Sequence, residues 1–160
     1  SRGLAKAIGD RLEDEGLAEV GGVRINISGC TNSCGQHHAS DIGLFGAERR
    51  AHGRSLPGYQ LLLGGHIGDE QIEFGQKALR LPARSAPEAV ARVVEKFSGE
   101  RVAGETFSQW LERVGGASAV AKVLEPFGEI PAPDLAPDYY IDFDETGPYV
   151  AEVAESECAT

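Results

Sequence analysis

The chain has 160 residues, a formal net charge of −10, and ordinary apolar (41%) and charged (25%) fractions, which suits one domain with a real core. No stretch approaches the roughly 18 consecutive apolar residues of a membrane helix, no secretory signal opens the chain, and no basic patch with interleaved aromatics marks a nucleic-acid surface. A cytoplasmic protein with neither membrane nor nucleic-acid partners is expected.

The chain contains no methionine, and Ser1 leads at once into the helical stripe Leu4, Ala5, Ile8 and Leu12. That combination predicts a piece of a longer protein. A helix is expected from about Gly3 to Leu17, ending before Gly21-Gly22. Val23 to Ser28 then alternates strictly, which predicts a half-buried strand with Val23, Ile25 and Ile27 on one face. Arg24 and Asn26 fall on its polar face, open to a cofactor or to solvent. The strand ends at Gly29 and delivers the chain into Cys30-Thr31-Asn32-Ser33-Cys34-Gly35-Gln36-His37-His38. A helical turn is expected to begin near Cys34.

Asp41 to Gly46 reads as a short strand, Arg49 to Gly58 as a turn or hairpin loop, and Tyr59 to Leu63 as a buried strand ending at Gly64-Gly65. Ala78 to Leu81 adds a strand before Pro82. Ser85-Ala86-Pro87-Glu88 has the form of a capping box, with Ser85 as N-cap. Val90, Val93, Val94 and Phe97 line one face of the helix that follows. Phe107, Trp110, Leu111 and Val114 line a second helix, stopped by Gly115-Gly116, and Ser118 to Leu124 suggests a third. Strands followed by helices predict an α+β fold, a mixed sheet flanked by helices.

Every Lys and Arg lies at or before Lys122, whereas Glu125 to Glu157 holds ten acidic residues, no basic ones, and five of the eight prolines. This divides the chain into a half-domain over 1–124 and an acidic tail over 125–160, expected to be extended or laid over a larger surface.

Cys30, Cys34 and Cys158 do not form a secreted disulfide framework. Two thiols in one glycine-bounded loop favour metal or redox chemistry, because soft sulfur suits iron–sulfur units. A helix start at Cys34 would add backbone donors and a dipole that favour its thiolate. Cys158 is remote and a poor third ligand. A zinc site from Cys30, Cys34, His37 and His38, in a small interaction module, is the rival reading, although the ligands crowd more closely than zinc spacing usually allows.

The ordered series Gly29-Cys30-Thr31-Asn32-Ser33-Cys34-Gly35-Gln36, then Asp41-Ile42-Gly43-Leu44, then Gly64-Gly65, then Gly104-Glu105-Thr106-Phe107 resembles the C-terminal part of the nitrite/sulfite reductase family. Glu157-Cys158-Ala159 is also similar to the end of bacterial members. The resemblance implies a sirohaem and a 4Fe-4S cluster, six-electron reduction of nitrite to ammonia or sulfite to sulfide, and ferredoxin or a flavoprotein reductase as electron donor. It makes Cys30 a cluster ligand and Cys34 the ligand whose sulfur also bridges to the sirohaem iron. Asn32, Gln36 and the backbone around Gly35 become donors to cluster sulfurs or sirohaem carboxylates, and His37 a polar neighbour of the tetrapyrrole. The family's first cysteine pair, spaced C-x5-C, and its basic substrate-binding residues are absent. The resemblance therefore places no catalytic residue in this chain, makes the rest of the parent chain its partner, and predicts that the chain alone is inactive.

Overall fold

The computed structural model describes residues 2–150, so Cys158 and the Glu157-Cys158-Ala159 ending lie outside the described residues. Along the chain come α1 (Arg2–Asp14), β1 (Ile25–Ser28), β2 (Ile42–Gly46), and a hairpin of β3 (Arg49–Ala51) and β4 (Arg54–Leu56). Next are β5 (Gly58–Leu63), a second hairpin of β6 (His66–Ile67) and β7 (Ile72–Glu73), and β8 (Gln76–Pro82). The helices α2 (Ala86–Glu100), α3 (Phe107–Arg113) and α4 (Ala117–Leu124) follow. The main sheet has the order β1-β2-β5-β8. Its β1–β2 pairing is parallel and the other two are antiparallel, a mixed sheet as expected.

Alternation gives the sheet two unlike faces. Ile42, Leu44, Leu61 and Leu63 are all buried on one face, in a core with Leu4 and Ile8 of α1, the valines and Phe97 of α2, and Phe107, Trp110 and Leu111 of α3. Val23, Ile25 and Ile27 pack against that core, so the stripe on this strand has the predicted orientation. Phe97, Phe107 and Trp110 form a triangle with ring centroids 5.2–5.4 Å apart, within the range of favourable aromatic contacts. The opposite face of β1 and β2 carries Asn26, Ser28, Gly43 and Phe45, and the cysteine loop covers it.

Several local expectations are corrected. α1 ends at Asp14 rather than Leu17. Ser85 stands at the N-cap position of α2 as expected, but no capping box forms there: its hydroxyl turns to the carbonyls of Pro82 and Phe127 instead of a helix amide. A complete capping box is found at Thr106 and Gln109, opening α3. A serine can satisfy a nearby carbonyl as readily as an orphan amide, so the four-residue pattern places the cap residue without securing its bond. The Arg49–Gly58 segment is the β3–β4 hairpin, turned at His52 and Gly53, both with positive φ (51° and 72°), as a two-residue hairpin turn requires. The β6–β7 hairpin carried no expectation, and its Ile67 and Ile72 are exposed.

Residues 125–150 run back along the domain rather than away from it. Arg84 donates to the carbonyls of Asp138 and Ile141 and stacks over Phe143 at 4.6 Å. Tyr140 is buried and donates to the Pro131 carbonyl, with Arg54 over its ring at 5.1 Å. Burial, then the nearby Asp142 and Tyr149, push the Tyr59 phenol up to about 12.

Candidate functional site

The cysteine loop is folded onto the polar face of β1. Asn26 donates through Nδ2 to the Gln36 carbonyl at 3.3 Å. Ser28, two residues on and so on the same face, accepts the Gly35 amide at 3.0 Å. Its hydroxyl also lies 2.7 Å from Nδ1 of His37. The polar face left open between cofactor and solvent is therefore the platform of the loop itself. Arg24 at its start is exposed, and its backbone amide donates to Asp41 at 2.8 Å.

The seating is close enough to exclude a side chain at several glycines, Gly35 and Gly43 among them. A Cβ at Gly35 would strike the Ile27 carbonyl and the Ser28 hydroxyl, and one at Gly43 would strike the His37 carbonyl. The loop turns through Ser33 (φ 59°) and Gln36 (φ 54°), both left-handed without being glycine, a conformation that surrounding contacts must hold. The short helical turn begins at His37 (His37–Ala39), not at Cys34. Cys34 therefore gains no helix-start environment, and the dipole expected at its sulfur is absent.

Cys30 and Cys34 are both exposed and unbonded to other cysteines. Asn32 and Gln36 are exposed as well, and Gly35 is half-buried beneath them. His37, by contrast, is 0% exposed. Its ring packs 4.9 Å from Phe45 and 4.1 Å from His38. Burial, followed by the charge of His38, lowers the proton affinity of His37, so the neutral imidazole is favoured. Its Nε2 is buried without a hydrogen-bond partner among the described residues.

The zinc reading is not supported. Among the described residues, no group of three or more His, Cys, Asp or Glu could hold a metal ion. His37 is committed to Ser28 and buried against Phe45. Two exposed soft thiols in one loop have the chemistry of half of a cluster's ligand set.

Several site features carried no sequence expectation. Ser28 is 3% exposed, and its place two residues after Asn26 on an alternating strand was the available signal. The return of the acidic tail had none. Asp142, Glu145, Pro148 and Tyr149 line a groove of about 740 Å³ with Gly29 and Cys30. At the far end of the loop, His38 and Phe74 meet edge to face at 6.0 Å, and the His38 carbonyl accepts the Gly75 amide. Asp41 anchors the β1–β2 entry, and burial raises its pKa against the opposing hydrogen bond from the Arg24 amide.

Fold and loop together define a class: an α+β domain that presents two thiols from a glycine-seated loop at the end of a strand. The model of the nitrite and sulphite reductase 4Fe-4S domain matches residues 21–130, and the chain belongs to that family. It is 42% identical over 108 residues to an assimilatory ferredoxin-dependent nitrite reductase of Haloferax mediterranei, covering 68% of this chain and 18% of that protein. A ferredoxin sulfite reductase of Mycobacterium tuberculosis is 37% identical over 106 residues, covering 64% of this chain and 19% of the relative. The solved structure of the Mycobacterium tuberculosis NirA protein superposes with a TM-score of 0.62 at 32% identity, covering 75% of this chain and 22% of the other. The chain thus spans about a fifth of the length of these relatives. Among the described residues, no helix is long and apolar enough to cross a membrane.

Proposed function

We propose that this chain is the C-terminal, cluster-bearing part of a sirohaem-dependent nitrite or sulfite reductase, supplying two of the four thiolates that hold a 4Fe-4S cluster. The supporting observation is the pair Cys30 and Cys34, free and exposed on a loop whose backbone is fixed by Ser28, Asn26 and Gly43. A ligand loop works when its backbone is set before the metal arrives, because less ordering entropy is then lost on binding.

In this reading Cys30 and Cys34 would hold cluster iron, with Cys34 also serving the sirohaem, and the other thiolates and the anion-binding cations would come from the remainder of the parent chain. Bound there, cluster and sirohaem would supply one-electron transfer to the small anion. The chain's own contribution is positional. The Gly35 and Gln36 amides are spent within the protein, on Ser28 Oγ and the Ser33 carbonyl, and so hold the loop rather than a cofactor. The exposed side chains of Gln36 and Asn32, the latter between the two thiols in sequence, would be the donors near the cluster, and His37 supports the loop through Ser28. The electron donor is a ferredoxin, the donor named for the nitrite and sulfite reductase relatives, or a flavoprotein reductase. A reducing, cytoplasmic setting suits two thiols that must stay free. The chain by itself is inactive.

The test is anaerobic reconstitution of the full-length parent with iron, sulfide and sirohaem, for wild type, Cys30→Ser and Cys34→Ser. Wild type should carry four cluster irons in addition to the sirohaem iron and reduce nitrite or sulfite with reduced ferredoxin, and each serine variant should lose the cluster. Full cluster content in both variants would overturn the assignment.

A further inference from the structure

His37 is buried, aromatic-packed and three residues beyond the second thiol, yet one of its nitrogens satisfies Ser28 and the other satisfies nothing described. A hydroxyl has one hydrogen to give and lone pairs to receive. Ser28 Oγ receives the Gly35 N–H at 3.0 Å and shares a second hydrogen bond with His37 Nδ1 at 2.7 Å. Which atom of that second bond gives the proton follows the ring tautomer, and with either one the chain of contacts runs from the Gly35 amide through Ser28 Oγ to His37 Nδ1.

We propose that His37 is a positioning residue for Cys34, acting through Ser28 on the Gly35 amide, the peptide unit immediately after the thiol. The identification of what Cys34 binds rests on the reductase reading; the relay itself does not. Three observations carry it. The Cys34–Gly35 unit sits between two left-handed non-glycine residues, Ser33 and Gln36, a backbone that costs on the order of 1–3 kcal/mol per strained residue unless contacts impose it. Ser28 and His37 are 3% and 0% exposed, so water cannot replace either partner. Finally, Nε2 of His37 is buried with no hydrogen-bond partner among the described residues, a desolvation cost that an apolar side chain of similar size would avoid. An imidazole held there despite that cost supports a role for its Nδ1 bond to Ser28.

The experiment compares His37→Leu, His37→Asn and Ser28→Ala with wild type in the full-length enzyme. Asparagine keeps an acceptor where Nδ1 stands, leucine keeps bulk without one, and Ser28→Ala removes the middle of the relay with minimal volume change. Two measurements are read: hydrogen exchange of the 28–38 segment without cofactors, and release of cluster iron to a chelator together with the reduced-cluster EPR spectrum. His37→Leu and Ser28→Ala should each raise exchange at Gly35 and speed iron release by about tenfold, the loss expected when one buried hydrogen bond is broken. His37→Asn should stay within about twofold of wild type, and His37→Leu/Ser28→Ala should be no worse than either single change. Wild-type-like exchange in His37→Leu, or His37→Asn as defective as His37→Leu, would overturn the proposal. If His37→Leu does not fold, Ser28→Ala against His37→Asn decides it by the same measurements. A wild-type enzyme without a cluster would overturn the reductase reading, and the exchange data would still judge the relay.

Discussion

Glu105 grips Arg113 with two near-parallel bonds, Arg113 Nε to Oε1 at 2.7 Å and Nη2 to Oε2 at 2.9 Å. Its Oε2 also accepts the Val102 amide, and Arg113 reaches the Glu100 carbonyl. The glutamate of the Gly104-Glu105-Thr106-Phe107 series thus ties the α2–α3 connection to the end of α3, while Thr106 caps that helix and Phe107 enters the core. The Arg113 bond first, with the Val102 amide adding to it, holds the Glu105 carboxyl down to about 2. A depressed carboxylate pKa contributes stability that is complete above its ordinary value of 4.5 and is lost as pH falls through about 2. Glu105→Gln should lower the urea midpoint at pH 7, and its difference from wild type should shrink steadily below pH 4.5. A difference independent of pH would contradict this linkage.

Asp41 has the opposite sign. Burial raises its pKa above 3.8, so the folded protein holds a proton that the unfolded chain has released. Stability attributable to this group falls as pH rises from 3.8 through the folded value. Asp41→Asn keeps an acceptor for the Arg24 amide and removes the charge. The variant should be at least as stable as wild type at pH 7, and should lose its relative advantage as pH falls below the folded pKa. Denaturant midpoints across pH 3.5–7 check it.

Glycine substitutions should divide by location. Gly9 lies within α1 with nothing within 4 Å of an added Cβ, so Gly9→Ala should stabilise by about 0.5–1 kcal/mol through helix propensity. Gly35→Ala would drive a methyl into the Ile27 carbonyl, and overpacking of this kind costs about 1–3 kcal/mol. The second change should also reduce cluster loading, the first should not. Thermal melts and iron content separate them.

Trp110 is 0% exposed, packed edge-to-face against Phe97 and tilted against Phe107, and its indole N–H reaches Glu100 at 3.2 Å. Trp110→Ala should cost about 3–5 kcal/mol, measured by chemical denaturation of the full-length protein. A loss below about 1 kcal/mol would show that the α2–α3 packing relaxes around the cavity.

Arg84 fastens the returning segment through two carbonyls and the Phe143 ring. Arg84→Ala should destabilise by about 1–3 kcal/mol and expose residues 137–143 to limited proteolysis while α2 stays resistant. Unchanged cleavage would assign the anchoring to Tyr140 instead.

The sequence was most legible where one element explains its own pattern. Period-two alternation fixed the core face of β1, and helical spacing found the buried sides of α2 and α3, because side-chain direction follows backbone geometry within a single element. The ordered glycine and cysteine series likewise identified the family and singled out Cys30 and Cys34 before any coordinate was known. What alternation could not say is what lies against the other face. Arg24 and Asn26 read as a polar face open to cofactor or solvent and Ser28 carried no reading; only folding brings Gln36 onto Asn26, and Gly35 and His37 onto Ser28. The same limit undid the capping bond expected at Ser85, whose hydroxyl goes to the Phe127 carbonyl 42 residues on, and hid the return of the acidic segment to Cys30. Local sequence determines direction and period. Which polar groups satisfy one another when water is removed is decided by contacts distant in the chain, and here those contacts hold the cysteine loop in place.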